Sequence, residues 1–160
     1  MSSLSYSQIT GTISEITSYE KNCCHQLISI NTAYGPASIV LSPNTYVAEN
    51  ETLCPGMTIT AFYDTNQPVP LIYPPRYQAV AIAVLKDDET VALHYFNNNL
   101  VASDDSLVLN LSESTVIKTA NGQYYNCKPG GNILLVYYHT TTRSIPPQTT
   151  PHKIIVFCQY

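Results

Sequence analysis

At 160 residues, with 11% charged side chains and a net charge of −4, the chain is far less charged than the roughly 25% of an ordinary soluble domain. Its seven Lys and Arg are scattered along the chain, which excludes the clustered basic footprint that nucleic acid or an anionic membrane surface requires. Apolar runs such as 79–85 are too short to span a bilayer, and the opening MSSLSYSQIT has neither a basic n-region nor an apolar h-region, so it does not read as a secretory signal.

No stretch carries a helical period. Short runs of β-branched and aromatic residues, bounded by Gly, Pro, Asn and Asp, predict an all-β chain. A polar, flexible segment is expected at 1–8. Strands follow at 9–16, 27–30, 38–41, 57–63 and 79–85, then at 91–95, 107–111, 115–119, 133–138 and 153–157. The run from Ile9 to Ile16 alternates with period 2, and Gly11 within it reads as a bulge. Ile133-Leu134-Leu135-Val136 is apolar throughout, the mark of a strand buried on both faces. Turn chemistry fits this division: Tyr34-Gly35-Pro36, Pro55-Gly56, Asn121-Gly122 and Gly130-Gly131 punctuate the strands. Lys86-Asp87-Asp88-Glu89, the one charged run, reads as a solvated junction.

The chain repeats itself. Leu41-Ser42 matches Leu111-Ser112, Thr45 matches Thr115 and Val47 matches Ile117, all at an offset of 70; Cys54 then matches Cys127 at 73 and Tyr63 matches Tyr138 at 75. Each copy has a Leu-Ser step, a Cys followed by a Pro-Gly turn, an apolar run ending in aromatics, a proline-rich excursion and a final apolar run. An ordered series of this kind indicates internal duplication. Each unit then holds about five short strands with a proline loop before the last, which predicts two tandem small OB-like β-barrels, at 9–86 and 90–160. A β-sandwich is the alternative. Pro68, Pro70, Pro74 and Pro75, like Pro146, Pro147 and Pro151, cannot lie in central strands and are expected to cross one end of each barrel.

The five cysteines fit no zinc spacing. Cys54 and Cys127, at equivalent positions, read as small buried hydrophobes. Cys23 and Cys24 fall in a predicted polar loop, and Cys158 lies near the C-terminus; these three are candidates for intersubunit disulfides. A Cys-His nucleophile built from Cys23 or Cys24 and His25 is disfavoured, because sequence neighbours seldom have the geometry for proton transfer. His94, His139 and His152 stand at separate strand ends. Asp104-Asp105 reads as a turn, and Asp64 is replaced by His139 in the second copy. No phosphate cradle, nucleophile elbow or dinucleotide fingerprint is present. The sequence therefore predicts no catalytic residues, no metal and no cofactor. Tyrosines flank the proline loops and an arginine sits in each, so Tyr73, Arg76, Tyr77, Tyr138 and Arg143 are the candidate ligand-binding residues, on the logic of aromatic platforms in OB-like folds.

The strings FYDTNQPVPLIYPPRY (residues 62–77) and TRSIPPQTTPHKIIV (residues 142–156) resemble tandem β segments of uncharacterised envelope proteins of clostridia and related spore formers, where they stand beside copper-amine-oxidase-N-terminal-like domains. That resemblance implies surface material and no assigned activity. With low charge and reachable thiols, it predicts a non-enzymatic structural subunit. Such a subunit would self-assemble into an extracellular, spore-surface or cell-surface polymer by strand addition and intersubunit disulfides. Its partners would be other copies of itself and envelope or spore-surface proteins, with no membrane insertion. The alternative is an OB-like binding module for a saccharide, a peptide or single-stranded nucleic acid, the last disfavoured by the scarcity of positive charge.

Overall fold

A computed structural model describes residues 5–158, and these are all-β, with one 3-10 turn at Ala48–Asn50. The chain divides between Lys86 and Asp87 into two compact units.

The first unit is a seven-stranded sheet in the order β4-β7-β5-β1-β2-β3-β6. Its strands are β1 (Tyr6–Tyr19), β2 (Asn22–Thr32), β3 (Gly35–Leu41), β4 (Tyr46–Val47), β5 (Thr58–Asp64), β6 (Arg76–Gln78) and β7 (Ala81–Val84). β1 starts earlier than its apolar pattern announces: Tyr6, Ser7 and Gln8 pair with Asp64, Tyr63 and Phe62. The segment expected to be flexible is therefore strand from Tyr6 onward, and Met1–Leu4 lie outside the described residues. Gly11 is no bulge. A Cβ there would stand 2.7 Å from the carbonyl oxygen of Asn31, so the glycine allows β1 and β2 to approach. Register shifts fall instead between Ile13 and Glu15 and between Ser18 and Tyr19. β5 pairs with Tyr6–Thr12 and β3 with Gln26–Thr32. The β1–β2 ribbon ends, with Tyr19 opposite Asn22, in a turn of Glu20 and Lys21, both at positive φ (53° and 57°). Cys23 and Cys24 lie in β2 beside that turn, not in the loop that their polar neighbours predict.

Residues 76–84 are split by Ala79-Val80. The first part, β6, runs parallel to β3, and the second, β7, runs antiparallel to β5 and parallel to β4. At the break, the Ala79 N–H donates to the Val40 carbonyl and the Val80 N–H to the Phe62 carbonyl. The core gathers Ile13, Ile28, Ile30, Ile39, Ile59 and Ile82 around Ala37, Ala61 and Ala79, each buried isoleucine contributing about 1.5–3 kcal/mol over its exposed state.

The second unit comprises β8 (Thr90–Phe96), β9 (Val108–Leu109), β10 (Val116–Thr119), β11 (Asn132–Tyr138), β12 (Gln148–Thr149) and β13 (Lys153–Phe157). They form a four-stranded sheet, β10-β13-β11-β8, and a parallel pair, β12-β9. Ile133 to Val136 are buried on both faces, as expected. A hydrophobic core of its own gathers Phe96, Leu107, Leu109, Leu134, Val136, Ile154 and Val156.

The repeat is legible in the hydrogen bonds of each unit taken by itself. The Ser42 N–H donates to Thr45 Oγ1 (3.1 Å), and Thr45 Oγ1 donates to the Ala79 carbonyl (2.8 Å). The Ser112 N–H donates to Thr115 Oγ1 (3.2 Å), and Thr115 Oγ1 donates to the Pro151 carbonyl (2.7 Å). The Tyr46 N–H then donates to the Val80 carbonyl and the Val116 N–H to that of His152, both at 3.0 Å. At the proline loops, the Ser38 N–H donates to the Pro75 carbonyl and the Val108 N–H to that of Pro147, both at 2.9 Å. The same geometry therefore holds the link, the proline loop and the split last strand in both copies.

Candidate functional site

Three of the expected binding residues gather in the first unit. Tyr63, at the end of β5, stacks on Tyr77 of β6, with centroids 4.5 Å apart and planes 28° from parallel. The pair forms part of the lining of two cavities. One, of ≈ 700 Å³, carries Tyr34, Tyr73, Pro36, Pro75 and Ile72 and has no charged side chain. The other, of ≈ 610 Å³, lies between Tyr19 at the β1–β2 ribbon, the loop through Gln67, Pro68 and Pro70, and the split strand. Asn44, Asp64, Gln67, Arg76 and Gln78 give it polar groups of both kinds. The Arg76 guanidinium lies over the Tyr19 ring, 5.4 Å from its centroid, a cation–π contact. Asp64 accepts the Asn66 N–H at 2.8 Å. Tyr6, paired with Asp64, has its phenol pushed up by burial and then by that carboxylate. Leu71 and Tyr34 stand fully exposed beside these cavities, with Tyr73 mostly so.

The second copy does not rebuild this arrangement. Gln148 and Thr149 pair with Val108 and Leu109 as Arg76 and Tyr77 pair with Ser38 and Ile39, so amide and hydroxyl replace guanidinium and phenol. Thr149 is buried and donates to the Thr140 carbonyl at 2.6 Å. Tyr138 is half-buried, and burial raises its phenol. Arg143 is exposed in the proline loop.

The second unit has two histidine clusters that strand-end positions alone did not reveal. His94 Nδ1 is 3.9 Å from Asp104 Oδ1, and its Nε2 is 3.4 Å from Ser106 Oγ. The Ser106 hydroxyl donates to Asp104 at 2.5 Å, so its proton is committed to the carboxylate rather than to the imidazole that a nucleophilic serine would need. Burial holds His94 below its ordinary value against the pull of Asp104. Asp104 lies low despite its own desolvation, because the Ser106 hydroxyl and backbone N–H bond to it and His94 stands near. In the second cluster His139 stacks on His152 at 4.4 Å, and His152 Nε2 meets Glu89 at 2.7 Å. Glu89 is thus anchored and largely buried, which corrects its reading as part of a solvated junction. Among the described residues, no group of three His, Cys, Asp or Glu is placed to hold a metal ion.

All five cysteines are exposed and unpaired. For Cys54 and Cys127 this overturns the expectation of buried hydrophobes: beside Cys54 it is Leu53 that packs against the core, and the thiol faces outward.

No protein-family profile matches the chain, and no curated protein matches it by sequence. A crystal structure of TiaS in complex with an isoleucine tRNA, AMPCPP and agmatine aligns over 55% of this chain and 20% of that chain, with 13% identity and a TM-score of 0.36. A likeness of that size carries no argument. The chain spans about a fifth of that protein's length.

Of the site residues, Tyr19, Asn44, Tyr63, Asp64, Gln67 and Gln78 were absent from the sequence-predicted set. Tyr19 is remote in sequence from the proline loop, and its one signal is its place immediately before the β1–β2 turn.

Proposed function

We propose that the chain is a non-enzymatic binding module whose first unit, an OB-like barrel, takes a saccharide in the cleft between Tyr19 and the proline loop. The barrel reading is supported by the split strand, which hydrogen-bonds β3 with its first part and β5 with its second. In folds of that kind the β1–β2 and β4–β5 loops of the five-stranded barrel frame the ligand, and the cleft is framed by the corresponding segments here. The observation that carries the ligand class is the Tyr63–Tyr77 stack set among Asn44, Asp64, Gln67, Arg76 and Gln78. Aromatic faces take the apolar face of a sugar ring, and planar amides and carboxylates take its hydroxyls. With net charge −4, the protein offers no counterpart to a polyanionic backbone.

The test is titration of the chain with a panel of oligosaccharides, followed by backbone amide shifts. Shifts clustered at Tyr19, Asp64 and Arg76–Val80 are expected, with Tyr77→Ala lowering affinity by about threefold to tenfold. Absence of any saturable shift, or an unchanged affinity in Tyr77→Ala, overturns the reading.

A second reading, self-assembly into an extracellular, spore-surface or cell-surface polymer, is favoured by the exposure of every thiol, with Cys23 and Cys24 close to the β1–β2 turn. Other copies of the chain would be its partners. Under oxidising conditions it predicts thiol-sensitive oligomers in electrophoresis and fibres by electron microscopy; a monomer at high concentration counts against it.

A further inference from the structure

We infer that the ligand of the first-unit cleft carries a carboxylate, held by Arg76: the cleft takes an acidic sugar of the uronate class. This rests on the saccharide reading and narrows it. Arg76 is half-buried on β6, its guanidinium over Tyr19, and its side chain makes no ion pair or hydrogen bond with any described residue. A partly desolvated guanidinium without a carboxylate partner is a charge awaiting compensation. The contact with Tyr19 is to the ring's π face and consumes none of the guanidinium's hydrogen-bonding capacity toward oxygen acceptors. Its planar N–H edge matches a carboxylate through two parallel hydrogen bonds.

Other features of the cleft set the ligand's charge at one. Arg76 is the single cationic side chain among the lining residues, and Asp64 lines the same space. Asp64 repels further negative charge and accepts hydroxyls instead. The Tyr63–Tyr77 stack supplies the platform for the ring that bears the carboxylate. The cleft thus discriminates against polyanions while rewarding one carboxylate beside a polyhydroxylated, partly apolar ring. The second unit, with Gln148 and Thr149 at the corresponding positions, has neither the fork nor the platform.

The experiment compares, on the intact chain by calorimetry and amide shifts, a short galactose oligomer carrying one terminal galacturonate with the neutral galactose oligomer of the same length. A preference for the acidic oligomer of about tenfold is expected, as for one charge-assisted pair, and it should weaken with added salt. Arg76→Gln should abolish the preference, so that the two oligomers bind with equal affinity. Arg76→Lys, which keeps charge but loses the fork, should retain part of it. Asp64→Asn provides an independent arm in case Arg76 variants fold poorly, and should strengthen binding of the acidic oligomer. Equal binding of the two oligomers by the wild-type chain overturns the carboxylate assignment and leaves the saccharide reading standing. Binding of neither oligomer, together with Arg76-dependent capture of a peptide through its free C-terminal carboxylate, overturns both.

Discussion

Glu20 and Lys21 occupy the left-handed region in the two-residue turn of the β1–β2 ribbon. L-residues with a Cβ adopt that conformation at about 1–2 kcal/mol each, and Asn-Gly is the pair that such turns favour. Replacing Glu20-Lys21 with Asn-Gly should stabilise the first unit by about 1–2 kcal/mol in urea denaturation; a loss of stability would show that side-chain contacts of Glu20 or Lys21 outweigh the backbone strain. His94 makes a pH-dependent prediction for the second unit. Its folded pKa lies below the ordinary 6.5 because burial disfavours the imidazolium. On acidification the unfolded chain therefore takes up this proton first. Stability should fall as pH drops through about 6.5 and level off once the folded imidazole is also protonated. Asp104, whose folded pKa is also depressed, adds stability that is present above its unfolded value and is lost as pH falls through the folded one. His94→Gln should remove the step near pH 6.5 and leave the lower one, read by thermal melts from about pH 8 down to about pH 2. None of this was visible from Asp104-Asp105 as a turn or His94 as a strand end, since Ser106 and Asp104 meet His94 across a loop.

Strands were legible where burial is decided by neighbours along the chain. The predicted and observed bounds of β13 coincide, and β5 and β11 differ from their predicted ranges by a residue at one or both ends, because their apolar runs fill both faces of a core strand. The short strands β4, β6 and β12 were not legible as separate elements. Tyr46–Val47, Arg76–Gln78 and Gln148–Thr149 have no alternation of their own and are strands through parallel partners far away in sequence. The link before β4 and β10 makes the clearest prediction at this scale. Thr45→Val removes the donor to the Ala79 carbonyl and the acceptor for the Ser42 N–H. Two lost bonds at a half-buried site should destabilise the first unit by about 1–3 kcal/mol. Thr115→Val should do the same in the second unit through Ser112 and Pro151. Urea titration of each variant checks it, and a large effect in one copy with none in the other would contradict the equivalence of the two links.

Across the molecule, the sequence by itself determined that the chain is all-β and that its parts occur twice in one order. β-branched density, turn residues and the spacing of Leu-Ser, Thr and Cys are properties of the chain read locally, and each copy keeps them because the same hydrogen bonds need the same residues. Only the tertiary structure decided which residues of the first copy meet in a cleft. Tyr19 and Arg76 are 57 residues apart by number and meet because β1 turns back at Glu20-Lys21 while β6 runs beside β3. It also decided that the five thiols face outward and that Glu89 is taken out of its charged run by His152. Exposure and pairing depend on long-range packing, which no local pattern of polarity encodes.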